Sequence, residues 1–359
     1  MAARVMIMAG GTGGHVFPAL AVAQELRARG CEISWLGTPD SFESRLIPGY
    51  AIEIDTIESF RLRGQGVFSL LLAPLRLLRA MLQAARVLRR RRPQVVLGMG
   101  GFASGPGGLV SRLLGMPLVI HEQNTIPGLT NRWLAKIASR VLQAFPGSFP
   151  ASVGARVCGN PVRPEILALA EPGERFAGRA GLPVSLLVMG GSLGAQALNE
   201  RIPEALGLMD GALRPQVLHQ AGRGKLAATE ARYREAGVQA QVVEFIEDMP
   251  GVLAQADLVV CRAGALTISE LAAAGVASIL VPFPFAVDDH QTRNAAYLSD
   301  AGAAILVQER DLDAAGLAGI LGSLCPDRER LLSMAKAARV RSMPDALRCV
   351  ADACLEVAA

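Results

Sequence analysis

The sequence predicts an α/β protein built as two doubly wound, parallel-sheet domains, and three observations carry that reading. Short aliphatic runs alternate with longer helix-like segments from end to end, the pattern of an open parallel sheet wrapped by helices. A glycine-rich turn follows an early strand at residues 10–14, and a second follows a mid-chain strand at 190–194, so the organisation repeats. The chain has 359 residues, room for two domains at roughly 150 residues each. Its composition is 51% hydrophobic but only 4% aromatic, with 38 Gly, which implies aliphatic cores joined by tight turns and excludes wholesale disorder.

The strands follow in order. In the first half they are expected at 4–8 (RVMIM), 32–36, 51–55, 94–98, 117–121 and 139–142. In the second half they are expected at 185–189 (SLLVM), 216–219, 241–245, 257–261, 278–281 and 304–307. The join falls near Gly159-Asn160-Pro161-Val162-Arg163-Pro164, where two prolines bracket a short extended piece. Helical patterns at 328–342 and 345–357, separated by Pro344, close the chain. The expected division is residues 1–161 with a returning C-terminal helix of about 343–359, against 162–342. In this architecture ligands bind beyond the carboxyl ends of the strands, so two facing domains would hold a site in the cleft between them.

Several classes are excluded early. The six Cys (31, 158, 261, 325, 349, 354) show no CxxC pair and no metal-ligand spacing, and read as buried thiols of a reducing compartment. Residues 5–24 lack charge, but the apolar run Val5–Ala9 ends at glycines and is too short for a signal or membrane helix. Residues 93–111 are interrupted by glycines and two prolines. The formal net charge is +4, yet residues 59–121 hold ten Arg and no acid, so one basic region implies an anionic partner surface.

The glycine-rich turns define the chemistry. At a helix start such a turn offers backbone N–H groups and the positive end of the helix dipole, suited to phosphate. Three occur: Gly10-Gly11-Thr12-Gly13-Gly14, Gly98 to Pro106, and Gly190-Gly191-Ser192-Leu193-Gly194. A nicotinamide-dinucleotide fingerprint fits poorly, because Val16 stands where the third small residue belongs and Leu36-Gly37-Thr38 lacks the ribose-binding acid. Neither main turn contains Gly-Lys-Ser/Thr, which excludes a P-loop. A nucleotide diphosphate held by backbone groups is the reading that remains.

Polar residues cluster at strand ends. His15 follows the first loop and is suited to act as a base near neutral pH or as a donor to phosphate or hydroxyl; the alternative is a His capping the helix start, and its position at the strand end favours the functional reading. His121-Glu122-Gln123-Asn124 follows an apolar run and suits a hydroxyl-rich ligand, whereas His219 reads as structural. Arg262 to Glu270 starts a helix with small residues, where Thr267 suits phosphate and Glu270 a ribose diol; an acid in a first helical turn also has a purely electrostatic explanation. Asp288-Asp289-His290-Gln291 invites a metal, but adjacent positions rarely converge on one ion.

With these residues in hand the sequence resembles the MurG-type bacterial UDP-N-acetylglucosamine transferases, which act on undecaprenyl-pyrophosphoryl-MurNAc-pentapeptide (lipid I). The matching motifs are GGTGGH (10–15), GGFASGP (100–106), HEQN (121–124), GNPVR (159–163), GGSLGA (190–195), Phe245-Ile246, RAGALTISE (262–270) and HQTRNA (290–295), in order across both halves. The resemblance implies the GT-B fold, two Rossmann-like domains facing across a cleft, the first on the acceptor and membrane side and the second binding UDP-GlcNAc. It implies transfer of GlcNAc to the C4 hydroxyl of MurNAc with inversion, giving lipid II for peptidoglycan synthesis. It puts donor contacts on Arg163, Ser192, Ile246, Ala265, Leu266, Thr267, Ile268, Ser269, Glu270 and Gln291, and puts Thr12, Gly13, Gly14 and Asn124 near the sugar and acceptor. His15 is then the first candidate base and Glu122 the second. Backbone phosphate sites leave no requirement for a metal or other cofactor.

The basic region fits the same picture. Arg76, Arg79, Gln83, Arg86 and Arg90 share a stripe at helical spacing, while Phe68, Leu70, Leu71, Leu72, Leu75, Leu77, Leu78 and Leu82 exceed what one buried face requires. Such a helix suits anionic inner-leaflet lipids, with Arg heads snorkelling, on the cytoplasmic face of the plasma membrane; the competing reading is a core-packed helix with a solvated Arg face. Further partners would be other cell-wall synthesis proteins. Two rivals stand beside this reading: another GT-B enzyme using UDP-GlcNAc, with a different lipid acceptor or as a 2-epimerase, and a nucleic-acid-binding protein, against which stands the lack of an aromatic stacking platform.

Overall fold

A computed structural model describes residues 2–58, 72–179, 181–191 and 193–358. The chain divides into two compact units, Met1–Val162 with Met343–Ala359, and Arg163–Ser342. The first contains β1 (Arg4–Met8), β2 (Glu32–Gly37), β3 (Glu53–Thr56), β4 (Val95–Gly98), β5 (Leu118–Glu122), β6 (Arg140–Gln143) and β7 (Arg156–Val157). These form one sheet in the order β3-β2-β1-β4-β5-β6-β7, every pairing parallel. The second contains β8 (Ser185–Met189), β9 (Gln216–Gln220), β10 (Gln241–Val243), β11 (Leu258–Cys261), β12 (Ala277–Leu280) and β13 (Ala304–Leu306), ordered β10-β9-β8-β11-β12-β13 and again parallel.

The central strands are buried on both faces, which is why they read as unbroken aliphatic runs rather than alternating ones. Side chains still alternate between layers. From β1, Val5 and Ile7 join Val16, Leu26 and Trp35 in one core layer, while Met6 and Met8 join Ala80, Leu88 and Ile120 in the other. The second unit centres on Leu186, Val188, Ile202, Val260, Ile279, Leu321 and Leu331.

Both sheets reverse direction beside their first strand. In one unit the switch lies between β1 and β4, in the other between β8 and β11, so all three glycine-rich turns leave the carboxyl ends of switch-point strands.

Some expectations shift. The strand expected at 51–55 forms at Glu53–Thr56, because Ile47–Tyr50 closes a helical turn and Ala51 takes a left-handed conformation. The two-residue strand β7 carries no apolar run and was not anticipated. The final helix, Ala346–Ala358, buries Val350, Ala351, Ala353 and Cys354 in the Val5–Trp35 layer of the first unit. That packing also corrects the cysteine reading. Cys158 and Cys349 form a disulfide with Cα atoms 5.8 Å apart, although 191 residues separate them in sequence. Spacing carries no sign of this pair, since only the returning helix brings Cys349 to Cys158. The other four cysteines are free thiols.

Candidate active site

In the first unit the loop after β1 is wedged between the neighbouring loops. The Trp35 indole donates to the Ala9 carbonyl at 2.9 Å. Gly100 and Gly101 have φ of +94° and +85°. A Cβ on Gly101 would lie 2.6 Å from the Gly10 carbonyl oxygen, and one on Gly100 would lie 2.7 Å from the His15 ring. The two glycine-rich turns therefore touch backbone to backbone, and His15 sits half-buried over the second. Thr12 and Gly14 are exposed and Gly13 half-buried at the start of helix Gly13–Ala28.

The HEQN stretch is more internal than its polarity suggests. His121 is fully buried, its Nε2 is 2.9 Å from the Gly159 carbonyl, and burial lowers its pKa to about 4. Gln123 donates to Met99 and accepts, at its own carbonyl, a bond from Asn160. Glu122 takes the Asn124 N–H at 2.9 Å and its side-chain amide at 3.3 Å on one oxygen. Its other oxygen takes the Gly128 N–H at 3.1 Å and the Asn131 amide at 2.8 Å. With four donors on a buried carboxylate, Glu122 is engaged as a brace for residues 122–131 and holds Asn124 at the loop's half-buried rim.

In the second unit the turn after β8 rests on residues 221–222. A Cβ on Gly194 would come within 1.9 Å of the Ala221 carbonyl, and its φ is +69°. Ser192 lies outside the described residues. Helix Ala265–Ala274 begins at Gly264, which has no side chain to occupy the first turn, and Thr267 and Leu266 are half-buried beside it. Ser269 donates back to the Ala265 carbonyl at 3.0 Å. Ile268 is fully buried, with its amide on Gly264, so it anchors the helix rather than facing outward.

Glu270 accepts from Arg163 at 2.8 Å. Burial raises its pKa, and the Arg163 guanidinium opposes that shift. The pairing follows from placement, since Arg163 precedes helix Pro164–Leu167, which packs on helix Ala265–Ala274. Ile246 is buried beside an exposed Phe245. Gln291 accepts the Phe283 N–H at 2.9 Å, and Asp288 and Asp289, at φ +54° and +52°, turn the chain into helix His290–Ser299.

Arg262, singled out only as the head of its motif, proves to be a fastener. It donates to the carbonyls of Val281 and Pro282, pairs with Glu309 and lies over the Phe283 ring. His219 is structural, bonded to Tyr233 and Asn199 at 2.8 and 3.0 Å. Among the described residues no group of three His, Cys, Asp or Glu side chains is disposed to hold a metal.

The basic helix spans Ala73–Arg91 and buries Ala80, Ala84, Val87 and Leu88. Leu72, Leu75, Leu77, Leu78 and Leu82 stay exposed, Leu75 at 64%, alongside exposed Arg76, Arg79 and Arg86. Phe68 and Leu71 lie outside the described residues. Arg79 pairs with Glu58 at 2.8 Å, while Arg90 and Arg91 pair with Asp55 and Glu53 on β3. The two following helices, Ser104–Leu113 and Leu129–Leu134, pack in sequence beside it and add exposed Leu113, Leu129 and Trp133, the last with Lys136 4.3 Å from its ring. Trp133 escaped the sequence reading because it lies 42 residues or more beyond the basic helix, which ends at Arg91.

Two parallel sheets of the same strand order, each with glycine-rich turns leaving its switch-point strands, are the architecture of a GT-B glycosyltransferase. Residues 5–143 match the glycosyltransferase family 28 N-terminal domain and residues 185–349 its C-terminal domain. A curated relative in Marinobacter nauticus, a UDP-N-acetylglucosamine--N-acetylmuramyl-(pentapeptide) pyrophosphoryl-undecaprenol N-acetylglucosamine transferase, is 55% identical over 99% of this chain and 98% of that one. The enzyme of the same name in Nitrosospira multiformis is 54% identical over 100% of both. Among solved structures, Acinetobacter baumannii MurG is 42% identical with a TM-score of 0.86, covering 99% of each chain. The calicheamicin glycosyltransferase CalG4, at 16% identity and TM-score 0.68, shares the fold alone. The chain belongs to glycosyltransferase family 28 and, within it, to the MurG-type N-acetylglucosamine transferases.

Proposed function

We propose that the chain transfers GlcNAc from UDP-GlcNAc to the C4 hydroxyl of MurNAc in lipid I, giving lipid II for peptidoglycan synthesis. The observation that carries this is identity above one half, along the whole chain, to transferases named for that reaction.

In the second unit, Glu270 accepts the ribose hydroxyls, and Arg163, which pairs with it, reaches the diphosphate. The turn containing Ser192 and the start of helix Ala265–Ala274 hold the diphosphate, Ile246 meets the uracil through its backbone, and Gln291 reads GlcNAc hydroxyls. Thr12, Gly13, Gly14 and Asn124 serve the sugar and acceptor. The acceptor hydroxyl attacks C1 opposite UDP, so the configuration inverts without a covalent intermediate. His15 takes the proton. Glu122, whose oxygens already accept four hydrogen bonds, steadies Asn124. Backbone N–H groups and guanidinium groups stabilise the charge developing on UDP, so the reaction proceeds without added metal.

The exposed leucines of Ala73–Arg91 with Arg76, Arg79 and Arg86, extended by Trp133, attach the enzyme to anionic lipid at the cytoplasmic leaflet, where a lipid-linked acceptor presents its sugar. Among the described residues no helix is long and apolar enough to cross a membrane.

The test incubates the purified chain with UDP-GlcNAc and a short-chain lipid I analogue, with and without EDTA, and reads product mass. One added GlcNAc, insensitive to EDTA and lost in Glu270→Ala, supports both the reaction and the donor assignment. Donor binding without transfer overturns the acceptor assignment, and no donor binding overturns the reading.

A further inference from the structure

The first unit contains a carboxylate that none of the roles above uses. Glu43, in the short helix Phe42–Leu46, is 0% exposed. Among the described residues no cation pairs with it. Burying an unpaired charge is costly unless hydrogen bonds replace its water. Here they do: Oε2 accepts the Gly11 N–H at 3.1 Å, and Oε1 accepts the Thr38 N–H at 3.1 Å and its hydroxyl at 2.8 Å.

The space for this carboxylate is made by glycine. A Cβ on Gly10, at the end of β1, would lie 2.4 Å from Glu43 Oε1, and one on Gly37, at the end of β2, would lie 2.8 Å from its Cγ. Gly10 is pressed from its other side by Gly101, and the next turn residue, Gly100, seats the His15 ring. A continuous chain of contacts thus runs from Glu43 through Gly10 and Gly11 to the loop that carries Thr12 and His15. Burial pushes the Glu43 pKa up, but hydrogen bonds from its own amide, Gly11, Thr38 and Ser41 outweigh it and hold the carboxyl below its ordinary value. The donors from Gly11 and Thr38 fall on both oxygens, which an ionised carboxylate satisfies, whereas an amide keeps one accepting oxygen and turns the other position into a donor.

We propose that Glu43 is a positioning residue for glycosyl transfer: it clamps the Gly11 amide and so fixes the register of the Gly10–His15 loop against the Gly100–Gly101 turn. The inference rests on the reading of His15 and its loop as acceptor-side machinery. Because the Gly11 N–H is already bound to an anion, that amide is unavailable to a ligand phosphate. The loop's working face is then Thr12 to His15.

Glu43→Gln keeps the shape while turning one acceptor into a donor, and Thr38→Val removes a single hydroxyl donor as the milder change. Both are compared with wild type in steady-state transfer, calorimetric UDP binding and hydrogen exchange. In Glu43→Gln, kcat is expected to fall by about tenfold or more, since small misplacements at reacting groups are amplified. UDP affinity stays within about twofold, because the residues assigned to UDP lie in the other unit. Amides of residues 10–15 exchange faster while those of 262–270 do not, and Thr38→Val moves kcat in the same direction by less.

Unchanged kcat in folded Glu43→Gln overturns the proposal, as does a parallel loss of UDP affinity. If Glu43→Gln does not fold, Thr38→Val decides, and unchanged kcat and loop exchange there overturn it. A wild-type chain without transfer activity overturns the functional reading instead. Loop exchange then still decides whether Glu43 anchors the loop.

Discussion

The two units share a strand order and a switch point, but the side chains that fasten the loops beside their candidate residues differ: Glu43 and Glu122 in one, Arg262 in the other. In the first, carboxylates hold the loops: Glu43 clamps the turn after β1 and Glu122 the segment after β5, each accepting from main-chain N–H groups. In the second, guanidinium groups donate to main-chain carbonyls. Arg262 ties down residues 281–282, while Arg175 and Arg339 satisfy the carbonyls of Ala273, Ala274 and Gly275 at the end of helix Ala265–Ala274, which carries Glu270. A carboxylate fastener leaves carbonyls and hydroxyls to face a ligand, and a guanidinium fastener leaves N–H groups.

The largest expected effect breaks the backbone contacts that both units share. Gly194→Ala places a Cβ against the Ala221 carbonyl at a left-handed φ, and Gly101→Ala does the same against Gly10. Each is expected to cost its own unit about 3 kcal/mol or more, read as separate denaturant transitions. Equal destabilisation of both transitions by either variant would count against independent units.

Next is Glu270→Ala, which removes the charged acceptor and leaves Arg163 unpaired. UDP-GlcNAc affinity is expected to weaken by roughly 1.5–3 kcal/mol by calorimetry, with the first unit's stability unchanged.

A pH titration sharpens the comparison further. His121 and His219, one in each unit, have pKa values lowered to about 4 by burial. The unfolded chain therefore binds protons that the folded chain does not. Stability is full above about pH 6.5 and falls towards pH 4 by about 1.4 kcal/mol per pH unit for each histidine. His219→Phe is expected to flatten the acid limb of the second unit only.

The smallest effects on stability are at the surface. Leu75→Glu with Leu78→Glu changes unfolding by under about 0.5 kcal/mol, since both are exposed, yet is expected to abolish co-sedimentation with anionic vesicles. Arg79→Ala, which opens an exposed pair with Glu58, costs under about 1 kcal/mol.

Much of this was legible in the sequence because buried parallel strands and glycine turns are local signals. RVMIM followed by GGTGGH announces both a strand and its loop, and Gly101 and Gly194 are glycines whose backbone contacts admit nothing larger. The direction of polar side chains was less legible. HEQN reads as ligand-facing, yet three of its four residues are buried, because the end of a central strand and the loop it enters must satisfy their own polar groups before they can serve a ligand. Glu43 gave no signal, since an acid in a first helical turn is ordinary and the Gly11 amide it clamps lies 32 residues away in sequence. Cys158 and Cys349 were silent for the same reason, as was Trp133.

The return of the C-terminal helix sets an order of assembly on the ribosome. Residues 163–342 form a unit continuous in the chain and can close their core as soon as they emerge. The first unit's strands are made earlier, but its core lacks Val350, Ala353 and Cys354 until residues 163–342 have been made, so the layer beneath β1 waits open. The unit whose strands are synthesised first is thus completed only after the other has been made in full.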